Sequence, residues 1–107
     1  MVILQETTNK QLEQENFLLY IYTPFCGTCS VARSMLDKIE SVHKQEIFYE
    51  MNASLHPKFM QEYKVESVPC LLIKQDNEIK EKVYAFKSIA NIYSLLLDYK
   101  PELFKVQ

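Results

Sequence analysis

The sequence lacks any long apolar run: over its 107 residues, the longest uninterrupted one is Phe17–Tyr22. That run is far short of the roughly 20 apolar residues that a membrane-spanning helix needs. The N-terminal residues also lack the charged and apolar segments of a secretory signal peptide. We therefore expect a cytoplasmic protein with no membrane partner.

Basic clusters are absent and cysteines are few. Twelve Lys and Arg residues against fourteen Asp and Glu residues give a net charge of −2. Without a basic block, the charge gives no reason to expect binding to nucleic acid or to an anionic membrane. The three cysteines are an odd number, which argues against a structural disulfide framework. In a reducing compartment they indicate a redox-active or catalytic pair with one cysteine left over.

Apolar residues are abundant enough to form one core. Hydrophobic residues make up 48% of the chain and charged residues 24%. We find no repeat, low-complexity tract or interdomain linker. This composition and length predict a single globular domain over residues 1–107, which we expect to be a monomer.

Strand and helix patterns alternate along the chain. Phe17–Tyr22 is apolar on both faces, as in a central strand covered by helices on each side. A helix reaching about His43 follows, because apolar residues recur there at helical spacing. Those residues are Val31, Ala32, Met35, Leu36, Ile39 and Val42.

The other predicted elements complete an α/β order. They are a first strand at 2–4, a capping box at 8–11 opening a short helix, a strand at 46–51, a helix from Pro57 with Phe59, Met60 and Tyr63 inward, a strand at 70–74, a hairpin turn at 75–78, an edge strand at 79–84 and a helix ending before Pro101. This order predicts a mixed central sheet of four to five strands with helices on both faces.

The segment Cys26-Gly27-Thr28-Cys29 carries the candidate chemistry. It lies where the central strand feeds a helix, at the edge where open α/β sheets hold their sites. Because the free N–H groups and dipole of a helix N-terminus favour a thiolate, Cys26 is the predicted nucleophile. Cys29, one helical turn later, is the predicted resolving cysteine, which attacks a mixed disulfide.

Other interpretations of the cysteines are weaker. Cys70, His43 or His56 would have to complete a zinc site, but structural zinc sites usually carry two paired motifs and this chain has one. We expect no metal and no bound cofactor. Cys70 is either a buried strand thiol or a third redox-active thiol that pairs with Cys29 or another molecule. His56, in a turn, is expected to be exposed.

Nearly the whole chain resembles thioredoxin. The resemblance rests on the strand at 17–22, the motif Thr23-Pro-Phe-Cys26-Gly-Thr-Cys29, the helix after it, and Ser67-Val68-Pro69 ahead of the next strand. It implies the thioredoxin fold and thiol–disulfide exchange on proteins that contain disulfides, with a reductase or small thiol as electron donor. It also implies a cis bond before Pro69, against the disulfide, and backbone hydrogen bonds from Val68 to an extended substrate.

Four positions near the cysteines depart from the family pattern. Phe25 replaces the usual Trp, and Gly27-Thr28 replaces Gly-Pro. The second change predicts a potential between roughly −270 mV, as in thioredoxin, and roughly −180 mV, as in disulfide isomerase. Arg33 replaces a kinking proline, so we expect a straighter helix. Tyr84 replaces a glycine and is expected to narrow or cover the groove; with Phe25 and Val68 it would form an apolar rim that grips substrate.

The family's buried aspartate corresponds to Tyr20, and its lysine neighbour on the next strand corresponds to Glu50. One hypothesis is that Glu50 hydrogen-bonds Tyr20 and takes over proton transfer, with its pKa raised by burial. The other is that Glu50 faces solvent while Tyr20 fills space.

These observations predict a thiol–disulfide oxidoreductase that uses Cys26 and Cys29. Its substrate would lie against Phe25, Val68, Pro69 and Tyr84. The alternative is a thioredoxin-fold module that binds a partner in the groove at Pro69 and senses redox state without catalytic turnover.

Overall fold

The computed structural model describes residues 1–3 and 12–104. Its elements are β1 (Val2–Ile3), β2 (Phe17–Tyr22), α1 (Gly27–His43), β3 (Tyr49–Asn52), α2 (Pro57–Glu62), β4 (Cys70–Gln75), β5 (Glu78–Val83) and α3 (Ile89–Tyr99), with 3-10 turns at Ala53–Leu55 and Pro101–Phe104. The predicted capping box at 8–11 lies outside the described residues. From β2 to α3 the predicted order is confirmed.

The described strands form one mixed sheet in the order β1-β3-β2-β4-β5. The central strand β2 runs parallel to β3 and antiparallel to β4. Asp76 and Asn77, with φ of 55° and 64°, form the tight turn between β4 and β5. As predicted, β5 is an edge strand, with Lys80 and Lys82 exposed. The sheet has five strands, within the predicted number.

Both faces of β2 are buried because helices cover the sheet on each side. Leu18 and Tyr20 belong to one core, which includes the inner faces of α1 and α3. Leu19 and Ile21 belong to a second core, against which α2 packs. The inward residues of α2 are Phe59, Met60 and Tyr63, as predicted. The alternation along β2 therefore separates the two cores.

Helix α1 positions the cysteines and buries one narrow stripe. Ala32, Leu36 and Ile39 are buried, while Val31 is 57% exposed and Val42 is 68% exposed. Of the apolar residues whose spacing predicted this helix, Val31 and Val42 therefore lie outside the buried stripe, because at 3.6 residues per turn they sit roughly 80° to 100° around the helix from Ala32. The helix runs unbroken through residue 33, where the family pattern has proline.

A buried carboxylate delays the start of β3. Glu40 Oε2 accepts hydrogen bonds from the backbone N–H of Ile47 at 2.7 Å and of Phe48 at 3.0 Å. These two amides are thus held by α1, and β3 begins only at Tyr49. The predicted strand at 46–51 was therefore too early by three residues at its start.

Among the helices of the described ranges, none is both long enough and apolar enough to cross a membrane.

Candidate active site

The two cysteines of the motif close on each other at the start of α1. Cys26 is the N-cap residue, with extended backbone at φ −105° and ψ 109°. Its Sγ accepts a hydrogen bond from the Cys29 N–H at 3.2 Å. The residues form a disulfide with a Cα–Cα distance of 5.2 Å, within the usual range. The disulfide therefore occupies the helix N-terminus, as the sequence pattern predicts.

The two sulfurs differ in accessibility. Cys26 is half-buried, whereas Cys29 is only 4% exposed. Gly27 and Thr28 between them are exposed, and no atom lies within 4 Å of where a Cβ on Gly27 would be. Thr28 Oγ1 lies 3.4 Å from Cys26 Sγ. An incoming sulfur can therefore approach Cys26 more readily than Cys29.

The proline loop that directly precedes β4 approaches Cys26. The Val68–Pro69 peptide bond is cis, as predicted. The Val68 carbonyl oxygen lies 3.9 Å from Cys26 Sγ, and Pro69 is buried while Val68 is half-buried. The loop thus brings a backbone carbonyl beside the half-exposed sulfur.

Tyr84 supports this proline loop. Its hydroxyl accepts a hydrogen bond from the Glu66 N–H at 3.2 Å, and its ring packs against the core on the α2 side. That Tyr84 narrows or covers the groove stays a prediction. Phe25, in contrast, is 100% exposed next to Cys26. An aromatic side chain is therefore exposed to solvent beside Cys26.

Tyr20 lies directly beneath the first turn of α1. It is fully buried, and its hydroxyl donates a hydrogen bond to the Cys29 carbonyl oxygen at 2.6 Å. Burial raises the pKa of Tyr20 to about 12. The phenol is therefore protonated at neutral pH, with its proton directed to a carbonyl group. The Tyr20 hydroxyl therefore binds the backbone of Cys29 and does not accept a proton from the Cys29 thiol.

Glu50 forms an ion pair with Arg33. The Glu50 side chain is 8% exposed, and its Oε2 binds Arg33 Nη1. The Arg33 guanidinium lies 4.7 Å from the ring centre of Tyr22 and 5.4 Å from that of Tyr20. Glu50 therefore neither hydrogen-bonds Tyr20 nor faces solvent, whereas Tyr20 does fill space in the core. In the sequence Arg33 is recognisable only as the residue that replaces a kinking proline, so this ion pair is not predicted.

Cys70, the first residue of β4, lies in the interior of the protein. It is fully buried in the core on the α2 side, whereas α1 packs on the opposite face. Burial raises the pKa of its thiol to about 12. These observations favour the packed strand thiol over the third redox-active thiol.

The residues considered for zinc do not come together. His43 lies in the last turn of α1, with Nε2 3.3 Å from the Tyr93 hydroxyl. His56 is 9% exposed, so the expectation that it is exposed was wrong. Its turn is covered by α2 and Leu12, which line a cleft with it. Within residues 1–3 and 12–104, no group of three His, Cys, Asp or Glu side chains could hold a metal ion.

Comparisons with known proteins agree with this geometry. The family model for thioredoxin matches residues 1–97. Thioredoxin-like protein YusE of Bacillus subtilis is 40% identical over 93 residues, which cover 87% of this chain and 88% of that protein. Thioredoxin from Listeria monocytogenes is 27% identical over 90 residues, which cover 79% of this chain and 87% of that protein.

A solved structure shows the same fold. A mutant thioredoxin from Halobacterium salinarum matches with a TM-score of 0.73 at 19% sequence identity, covering 92% of this chain and 88% of that one. The predicted thioredoxin fold is therefore confirmed. With a family match over most of its length and a CxxC pair closed at the start of α1, the chain belongs to the thioredoxin family.

Proposed function

We propose that this protein is a thiol–disulfide oxidoreductase that reduces or exchanges disulfides in other proteins. The observation that carries the proposal is the asymmetric pair at the start of α1, a half-exposed Cys26 bonded to a buried Cys29. Such a pair alternates between disulfide and dithiol, and its exposed member reacts first.

In the first step, the Cys26 thiolate attacks one sulfur of a substrate disulfide. A bond forms between Cys26 Sγ and that sulfur, while the other substrate sulfur leaves as a thiolate. The helix N-terminus favours the attacking thiolate, and the Cys29 N–H and the Thr28 hydroxyl lie within hydrogen-bonding reach of its sulfur.

In the second step, Cys29 resolves the mixed disulfide. Its thiol gives a proton to solvent or to the departed thiolate, and its sulfur attacks Cys26 Sγ. The Cys26–Cys29 disulfide forms, and the second substrate sulfur leaves as a thiolate. The substrate gains two electrons and the protein loses two.

Recharging the protein reverses this chemistry with an external donor. Two electrons from a reductase or a small thiol would reopen the disulfide. A monomer in the cytoplasm, where thiols are kept reduced, suits such a cycle of electron transport and redox homeostasis. We expect the potential to lie between roughly −270 and −180 mV.

The substrate would lie across the surface that surrounds Cys26. Phe25 supplies an exposed aromatic ring, and the Val68 carbonyl beside Cys26 is placed to accept a hydrogen bond from an extended backbone. Pro69 fixes this loop against the site, and Tyr84 holds it from behind through Glu66. These contacts suit a loop or unfolded segment of a protein better than a small molecule.

Insulin reduction with excess dithiothreitol tests the proposal. Wild-type protein should accelerate precipitation of the insulin chains. Cys26→Ser should abolish turnover, and Cys29→Ser should accumulate mixed disulfides on non-reducing gels. Cys70→Ala is the matched control, because it removes the buried cysteine that takes no part in the disulfide, and it should keep turnover.

The same assay separates the alternative function. Wild-type protein that gives no acceleration above dithiothreitol alone would contradict the oxidoreductase proposal. Stable, stoichiometric capture of a partner by such a protein would instead support a binding or redox-sensing module.

A further inference from the structure

A partly buried ion pair joins the helix that carries the disulfide to β3. The Glu50 side chain, on β3, is 8% exposed, and that of Arg33, on α1, is 34% exposed. Arg33 is one helical turn after Cys29, so it projects from the same side of α1. The cationic member of the pair thus belongs to the active-site helix itself.

Tyr20 connects this pair to the disulfide. Its ring contacts the Arg33 guanidinium, and its hydroxyl holds the Cys29 carbonyl oxygen at 2.6 Å. Further groups that act electrostatically on Tyr20 are Tyr22 on β2 and Asp37 on α1. Within the described residues, Arg33 is the one cation in this set.

A cation one helical turn from Cys29 and two turns from Cys26 would change their equilibrium if it were unpaired. The dithiol form carries a thiolate at Cys26, and the disulfide form carries no charge there. A neighbouring positive charge stabilises the thiolate and so favours the reduced form. The Glu50 carboxylate cancels that effect, because it brings the charge of the pair to zero.

We propose that Glu50 sets the redox poise of the Cys26–Cys29 pair by neutralising Arg33, which lies one helical turn after Cys29 on α1. Glu50 is a positioning and charge-balancing residue here, and it takes no proton from Cys29. The inference rests on the proposed function, because it requires that the pair exchange electrons with thiols.

The charge argument makes two variants respond differently. Glu50→Gln leaves Arg33 unpaired, so it should make the pair more oxidising and lower the pKa of Cys26. Adding Arg33→Met removes the cation as well. The double variant should therefore return to within the error of wild type, although it has lost the whole ion pair.

The experiment equilibrates each protein with reduced and oxidised glutathione and measures the fraction that is oxidised. Solvent screens part of the Arg33 charge, so we expect Glu50→Gln to shift the equilibrium constant by about threefold, or roughly 14 mV. Thiolate absorbance at 240 nm, titrated against pH, should give a lower Cys26 pKa in the same variant. Thermal unfolding of the oxidised forms verifies that both variants are folded.

Four results would decide the matter. Recovery of the wild-type equilibrium in the double variant supports charge balance. A merely structural ion pair would leave the double variant at least as perturbed as Glu50→Gln, and this result, or no shift in Glu50→Gln, would overturn the inference. Failure of wild-type protein to exchange with glutathione at all would instead count against the proposed function.

Discussion

At the scale of single residues, Tyr20 replaces the side chain that the family uses beneath its second cysteine. Its hydroxyl donates to the Cys29 carbonyl, and burial keeps the phenol protonated. The site therefore has a donor to the helix backbone where the family has a carboxylate. The two cysteines of the family motif are therefore kept, but the side chain beneath the second cysteine differs from that of the family.

Tyr20→Phe should lower stability and keep turnover. The Cys29 carbonyl retains its helical partner, so we expect the free energy of unfolding to fall by about 1 kcal/mol in a urea titration. Tyr22→Phe, on the same strand, is the matched control and should change it by less than about 0.5 kcal/mol. Loss of insulin reduction in a folded Tyr20→Phe protein would show that the phenol acts in proton transfer.

Cys70 should be inert in the native protein. Its pKa of about 12 leaves almost no thiolate at pH 7, and its sulfur lies inside the core. Oxidised protein treated with Ellman's reagent should release no colour until guanidinium unfolds it, and should then show one thiol. Rapid stoichiometric reaction of the native protein would contradict the buried-thiol interpretation.

Residues whose role is local could be predicted from the sequence. Cys26 and Cys29 are recognisable because their spacing and the junction between strand and helix both lie within one short, continuous segment of the sequence. The cis bond before Pro69 was predicted from resemblance. The Arg33–Glu50 pair was missed, because it joins a helix to a strand and depends on distances that no local pattern encodes.

At the scale of secondary-structure elements, the ends of a helix or strand depend on which groups form hydrogen bonds with the backbone there. Glu40 takes the amides of Ile47 and Phe48, so β3 starts later than its apolar residues suggest. Helix α1 ends where Lys44 adopts the left-handed conformation, with its N–H directed to Ser41 and Glu40 carbonyl oxygens. The end of α1 at His43 agrees with the apolar periodicity, whereas the start of β3 depends on a carboxylate that periodicity does not reveal.

Replacing this helix cap should stabilise the protein. Lys44 has φ of 52°, a conformation that glycine adopts without steric cost. We expect Lys44→Gly to raise the free energy of unfolding by about 0.5 to 1 kcal/mol in urea. Lys44→Ala also loses the charge but keeps the strained backbone, so a gain of the same size in that variant would contradict the explanation.

At the scale of the whole molecule, the sequence predicted the layers better than the contacts between them. Alternation along β2 indicated a strand buried on both faces, and two cores do lie on opposite sides of the sheet. Which helix covers each face of the sheet depends on how the strands are connected. These connections place Cys70 on the α2 side and Cys29 on the α1 side, a separation that the sequence alone did not predict.

The two cores imply that the fold does not depend on its disulfide. Cys26 and Cys29 are separated by 3 positions, so the loop that their bond closes is short. The chain-entropy model assigns such a loop at most about 2 kcal/mol, and thiolate stabilisation in the reduced protein offsets part of this. Reduction with dithiothreitol should therefore lower the free energy of unfolding by about 1 to 2 kcal/mol and leave the far-ultraviolet circular dichroism unchanged.

Urea titrations of the oxidised protein, the reduced protein and the double variant Cys26→Ser/Cys29→Ser measure this difference directly. The double variant cannot form the bond, so it should match the reduced protein closely at a pH low enough to protonate Cys26. Unfolding of the chain on reduction would mean that the disulfide is structural. A small change in the free energy of unfolding would instead show that the sheet is held together without the disulfide. A redox-active disulfide requires this, because the protein must keep its fold each time the bond opens and closes.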